Sequence, residues 1–329
     1  MSTHVPDLPP VVAPVAAVHE SSTSPHVFPV PQGLIGLRFD VAASKMLGVS
    51  RTKAGQGIEN GYIRLVSRSA QRSSHLEEGD ILSLNLPTHD KSETHYTAEM
   101  DVLYEDDDVV VVNKPVGVAA HPSAGWTGPT VLGGLRQRGI RVSRLGAPGR
   151  EGIVSRLDVG TSGVMLVCKS DLAYVEMRRQ FAQHDVRKIY EALCQGNLAH
   201  DKATIEAPIA RDHGSHSFRF TVSPIGKEAI THFTVLERFS TATHVKVNLE
   251  TGRTHQIRVH FSSIGHPLVG DDLYGADPTL SAQLGLNRQW LQAISLTFKH
   301  PRTHVWMTVT AQYAPDLAHA LAVLRGNQQ

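Results

Sequence analysis

The stretch Gly152–Gly163 reads GIVSRLDVGTSG and runs straight into VMLVCK, Val164–Lys169. The apolar run has the length and bounds of a buried strand. The loop before it packs an arginine, one carboxylate, a threonine, two serines and three glycines into twelve residues. Acid/base hydrolysis generally uses two carboxylates, one to give a proton and one to take it or attack. Here Asp158 stands alone, with Arg156 two positions before it.

Working outward, DVLYEDDDVVVVNKPVGVAAHPS, Asp101–Ser123, puts a turn at Asp106–Asp108 between two strands. The second is the run Val109–Val112, closed by Asn113, Lys114 and Pro115, because proline cannot continue a central strand. After the Asp158 loop and its strand, Ser170 is placed to cap a helix carrying Leu172, Val175 and Ala182 at helical intervals. A strand VRKIYEALCQ, Val186–Gln195, and several more between Ala203 and Leu249 follow. Strands dominate without a regular βαβ alternation, so residues 99–329 are expected to form an α+β domain with a large, mostly antiparallel sheet.

Toward the N-terminus, residues 1–30 are rich in Pro, Val, Ala, Ser and His with no period, and read as a disordered arm. A small unit over 31–87 follows: a helix around Leu37–Lys45, a second capped by Ser50 and weakened by Gly55 and Gly57, and strands at Tyr62–Val66 and Ile81–Leu86. Residues 88–98 form a polar linker.

The chain has 329 residues and a formal net charge of +1. That average hides an uneven distribution: Arg136–Lys188 holds 11 Lys and Arg against 5 Asp and Glu, so the basic excess surrounds Asp158 as a passing phosphate backbone would require. No apolar run is long enough to span a bilayer. The first 37 residues lack Lys and Arg, the charge a secretory leader needs, and a cytoplasmic protein is expected. The two cysteines, Cys168 and Cys194, are too few for a disulfide framework.

A second cluster, LETGRTHQIRVHFSSIGHPLVGDDLYG, runs from Leu249 to Gly275. Thr254 is placed to cap a short helix with Ile257, Phe261 and Ile264 on its core face. Arg253 precedes that helix and Arg258 falls in its first turn. A guanidinium beside a carboxylate keeps it ionised, which suits a nucleophile or base. His255 and His260, five apart, do not share a helix face, and no HExxH or CxxC motif is present, so no metal is expected.

Four motifs in order, NKPVG (Asn113–Gly117), SRLDVGTSG (Ser155–Gly163), RKIYEAL (Arg187–Leu193) and ETGRTHQIRVH…GHPLVGDDLYG, make the chain similar to the RluA/RluD family of ribosomal large-subunit pseudouridine synthases. The resemblance implies a cofactor-free isomerase with Asp158 as essential acid, Tyr190 against the target base and Arg258 paired with Asp158. It implies Arg156, Arg253, Thr161, Ser162, His255 and Lys114 as substrate-binding, with Arg156 filling the space of the flipped nucleotide. The 31–87 unit resembles the S4 RNA-binding domain through Arg38, Ser50, Arg51, Gly61, Gly79 and Asp80. RNA contacts are expected at Arg38, Ser50, Arg51, Arg178, Arg187 and Lys188. A monomer acting on large-subunit ribosomal RNA or its assembling particle follows; the alternative is an assembly factor that binds RNA with little catalysis. Ser155 stands where the family commonly has His, and Val159-Gly160 where Lys-Asp is frequent.

Overall fold

The computed structural model describes residues 26–30, 32–47, 51–84, 99–123, 126–212 and 219–326. Ser50, residues 1–25 of the expected arm and the expected linker 88–98 lie outside the described residues.

The N-terminal unit comprises β1 (His26–Pro29), α1 (Phe39–Leu47), α2 (Arg51–Glu59), β2 (Ile63–Leu65) and β3 (Ile81–Leu84). Its antiparallel sheet has the order β1-β3-β2. The arm expected to lack structure through residue 30 is therefore overturned at its end, where His26–Pro29 pairs with β3. Edge pairing needs only one satisfied side, which a Pro-bearing strand can supply. Helix α2 forms despite its two glycines, and Gly57 has a use: a Cβ there would sit 3.0 Å from Ile63 Cδ1, so the small residue lets helix and strand approach.

Asp80, in the turn before β3, is 3% exposed. Its carboxylate accepts from Arg68 Nε and Nη2, Ser67 Oγ and the Glu77 amide, each at 2.9 Å. The Arg68 hydrogen bonds hold the carboxyl below its ordinary value. This contribution to stability is present above the unfolded carboxyl range and is lost as pH falls through the folded value. Asp80→Ala should destabilise the unit by about 1–3 kcal/mol, read as faster amide exchange in β2 and β3.

The rest of the chain builds β4 (Asp101–Glu105), β5 (Val109–Lys114), α3 (Val131–Gln137), β6 (Ser162–Cys168), α4 (Asp171–Ala182), β7 (Arg187–Gln195), β8 (Lys202–Glu206), β9 (Ile209–Arg211), β10 (Phe220–Val222), β11 (Ile230–Arg238), β12 (Ala242–Leu249), α5 (Gln256–Ser263), α6 (Pro278–Gln283), β13 (Leu291–Lys299), β14 (Trp306–Thr310) and α7 (Pro315–Gly326). Nine strands form one sheet in the order β4-β5-β6-β13-β7-β12-β11-β8, with β14 also on β13. Its strand pairs are antiparallel except β6 with β13. The central strands are apolar on both faces because both faces are covered. Val109, Val111, Val164 and Leu166 pack with α4, whereas Val110, Val112, Met165 and Val167 pack with α3. No helix among the described residues is long and apolar enough to cross a membrane.

The parallel junction positions the site. Ser162 and Gly163 pair with Gln292 and Ala293 only, after which β14 takes over that edge of β13 from Ser295. Gly163 has φ +114°, and a Cβ there would lie 2.1 Å from the Ala293 carbonyl oxygen, so no other residue fits that crossing without a backbone shift. The loop carrying Asp158 is thereby held at the seam of β6, β13 and β7.

Candidate active site

Asp158 lies between a guanidinium and an imidazole. Its Oδ2 is 3.7 Å from Arg258 Nη1 and 3.7 Å from His255 Nε2. These are electrostatic neighbours beyond hydrogen-bond distance, which leaves the carboxylate oxygens available. The sequence reading paired Arg258 with Asp158. The tighter partner is Asp271, which accepts from Arg258 Nε and Nη2 at 2.7 Å each. Arg258 is also 4.9 Å above the Tyr274 ring. Burial, which disfavours the guanidinium, is outweighed by these Asp271 bonds and by the charges of Asp271 and Asp158.

Helix α5 begins differently from expectation. Its cap residue is His255, in the left-handed region at φ 57° with no side-chain cap bond, and Thr254 does not cap it. Instead Gln256 Oε1 accepts from the Arg253 amide at 2.9 Å and from Thr251 Oγ1 at 2.8 Å. The left-handed turn swings His255 back, with Nδ1 2.8 Å from the Tyr274 hydroxyl. Burial lowers the His255 imidazole, opposed by Asp158. Ile257 and Phe261 are buried as the spacing requires, but Ile264 is exposed because the helix has ended. His260 is buried between Thr231 Oγ1 and the Ala207 carbonyl. No group of three or more His, Cys, Asp and Glu among the described residues is arranged to hold a metal.

Lys114 was expected to touch substrate, and its burial contradicts this: it is 0% exposed. Its Nζ donates to the Val118 carbonyl at 2.7 Å and the Pro115 carbonyl at 3.0 Å, and lies 3.5 Å from the Val159 carbonyl. Burial pulls the ammonium down to about 7, against the opposing charge of Asp158. Lys114 thus fastens the backbone following the catalytic candidate. Thr161 and Ser162 are also buried, accepting from Gln289 Nε2 at 3.2 Å and donating to Gln292 Oε1 at 3.1 Å. Arg288 completes the frame by donating to the Gly160 carbonyl at 3.2 Å. Ser162, expected on substrate, is therefore an anchor of the loop, whereas Thr161, also expected on substrate, both anchors the loop and lines the pocket beside Asp158. Lys114→Met keeps the side-chain length and removes the donors; it should lower kcat about tenfold with little change in KM, read by steady-state kinetics.

The loop faces a cleft with two joined lobes. One lobe is lined by Asp158, Thr161, Tyr190, His255 and Arg258, the other, of about 510 Å³, by Ser155, Phe181, His184 and Lys188. Arg156, Tyr190 and Arg253 line both. Tyr190, from β7, is held by apolar clusters on either side. Burial raises its phenol, the Asp158 charge adding to the effect, so it stays neutral. Arg156 is exposed at the rim, and Arg253 is exposed with Nε on the Glu228 carbonyl at 2.8 Å. Lys188 is half-buried beside Arg253; burial first, then that neighbouring charge, lowers it to about 8. Arg187 and Arg178 are exposed on the surface, while Arg38 and Arg51 converge on Asp40 in the N-terminal unit. Sequence reasoning missed Asp271, Tyr274, Arg288 and Gln289. The Asp271-Asp272 doublet was the available signal, but it does not say which cation it serves.

A family model described as RNA pseudouridylate synthase matches residues 108–263. A Mycobacterium bovis protein named as an uncharacterized RNA pseudouridine synthase is 48% identical over 91% of this chain and 97% of its own. A Neisseria meningitidis serogroup B protein named ribosomal large subunit pseudouridine synthase D is 37% identical over 90% of this chain and 81% of its own. Among solved structures, human RNA pseudouridylate synthase domain containing 1 superposes with a TM-score of 0.54 at 27% identity, covering 68% of this chain and 87% of that one. The α+β sheet, the motifs that meet on it and these similarities agree: the chain belongs to the RluA/RluD family of RNA pseudouridine synthases.

Proposed function

We propose that this enzyme isomerises uridines of large-subunit ribosomal RNA through Asp158, without a cofactor, as a cytoplasmic monomer. The observation that carries the reading is that Asp158 is the sole acid among the residues lining either lobe of the cleft, and that the Arg258 guanidinium and the His255 imidazole flank it at 3.7 Å. Isomerisation breaks C1′–N1 and forms C1′–C5, moves the C5 proton to a base and returns a proton at N1. Nothing is added or lost overall, so one acid suffices and no water is consumed. The RNA class is supported by the Neisseria relative's name.

Within this reading Asp158 acts on the ribose, the base or a sugar proton. Tyr190, a neutral phenol, packs against the base and relays a proton by its hydroxyl, since a phenol raised by burial does not ionise to serve as the base itself. Arg258, fixed by Asp271, supplies positive charge to the transition state. Arg156 occupies the gap left by the flipped nucleotide. His255, Arg253 and Lys188 line the cleft and hold the target strand. The N-terminal unit makes an S4-like RNA contact through Arg38 and Arg51, each more than a third exposed in its side chain. The test is tritium release from large-subunit rRNA labelled at uridine C5, offered as naked transcript and as ribosomal particle. Release establishes the isomerase, because C5 loses its hydrogen only on becoming the glycosidic carbon. No release from either substrate overturns the reading.

A further inference from the structure

A second groove lies outside the catalytic cleft. It measures about 1280 Å³ and is walled on one side by Pro29, Val30 and Gln32 of the N-terminal unit. The other wall is the loop after α3, which presents Arg138, Arg141 and Arg144, with Lys169 at the end of β6. Arg136–Arg156 contains six arginines and a single acid, Glu151, and it leads directly into the Asp158 loop. Arg138, Arg141, Arg144, Arg150 and Arg156 are all exposed, and none is in an ion pair among the described residues.

The acids in this groove are already engaged, apart from Asp107 near Arg302. Glu105 is taken by Lys169 at 2.6 Å. Asp171 accepts from Ser143 Oγ at 2.6 Å and the Arg144 amide at 3.2 Å. Those last two bonds, with Ser143 N to the Cys168 carbonyl at 2.8 Å and Gly152 N to the Leu145 carbonyl at 2.9 Å, fix the loop backbone to the core. The arginines are therefore displayed from a rigid base, which reduces the ordering cost of an encounter.

Helix α4 connects groove and cleft. Asp171 and Leu172 at its start line the groove, and Phe181 and Ala182 at its end line the cleft. Twelve residues place these ends about 16–18 Å apart at 1.5 Å per residue. The exposed Arg178 falls on one helical stripe with Asp171 and Ala182, between the two openings.

We infer that this groove is a docking channel for the phosphate backbone of the RNA segment flanking the target uridine, with Arg138, Arg141 and Arg144 as its contacts and Arg178 as the bridge to the cleft. The inference rests on the proposed RNA substrate and adds a second site that the reaction does not use. Its consequence is that binding depends on RNA well beyond the isomerised nucleotide.

The test is equilibrium binding of unmodified large-subunit rRNA transcript across a salt series, with tritium release measured in parallel. The Arg141→Glu/Arg144→Glu variant should raise Kd at least about tenfold near 0.1 M salt and reduce the log–log salt slope by about 1.5, at roughly 0.7–0.9 per lost phosphate contact. Its kcat at saturating RNA should match the parent's. Lys202→Glu on the edge strand β8 is the charge control and should change neither quantity. A parent-like Kd and slope in the double variant, or an equal loss in Lys202→Glu, overturns the channel. Groove-dependent binding without tritium release from the parent sinks the proposed reaction and leaves the channel standing.

Discussion

Asp158→Asn should bring tritium release from C5-labelled RNA to background, a loss of at least about 10³-fold in kcat/KM, or about 4 kcal/mol of transition-state stabilisation. The substitution keeps the shape of the side chain and removes its charge and basicity, which are what a lone acid contributes to a reaction with no second carboxylate in the cleft. Stability should change little. Asp158 accepts no hydrogen bond from a described side chain, and Arg258 and His255 stand at 3.7 Å. Arg258 keeps its two bonds to Asp271, so its guanidinium is not stranded. A thermal midpoint within about 2 °C of the parent, with RNA binding retained, would separate lost chemistry from lost fold. Residual activity within tenfold of the parent would remove Asp158 from its assigned role.

That Asp158, Tyr190 and Arg258 could be placed on their structural elements from the chain has a physical reason. Asp158, Tyr190 and Arg258 each sit in a local motif whose element is decided by short-range signals: a glycine-rich loop, a β-rich strand and a short amphipathic helix. The large sheet was legible for the same reason, because the Val109–Val112 and Val164–Cys168 runs read as buried strands from their own composition. What brings those elements together was not legible. The two-residue parallel junction of β6 with β13 joins positions about 130 residues apart, and Gly163 reports it only once Ala293 is known to lie 2.1 Å from where its Cβ would be. Lys114 misled because a lysine ending a strand ordinarily reaches solvent, whereas this one turns inward to three carbonyls. Strand β1 escaped notice because four residues flanked by prolines carry no measurable period.

Asp271→Asn should be the more damaging substitution for the fold. Asp271 is 1% exposed and Arg258 7%, and each nitrogen–oxygen contact of the fork is 2.7 Å. A carboxamide returns one acceptor and no charge, which leaves a buried guanidinium without its counterion. Removing one member of such a pair costs about 3–5 kcal/mol, expected as a clear drop in the urea midpoint with an unchanged m-value. Activity should fall as well, because Arg258 loses the clamp that holds it 3.7 Å from Asp158 and is free to close on it or swing away. The discriminating variant is Asp271→Asn/Arg258→Met. Deleting both charges removes the unpaired ion, so the double variant should be more stable than Asp271→Asn alone, a non-additivity in the range expected of contacting residues. Its activity should remain as low as that of Arg258→Met. Recovery of stability without recovery of turnover would separate the structural task of this ion pair, solvating a buried charge, from its positioning task beside Asp158. Recovery of both would mean that Arg258 is not needed for the reaction.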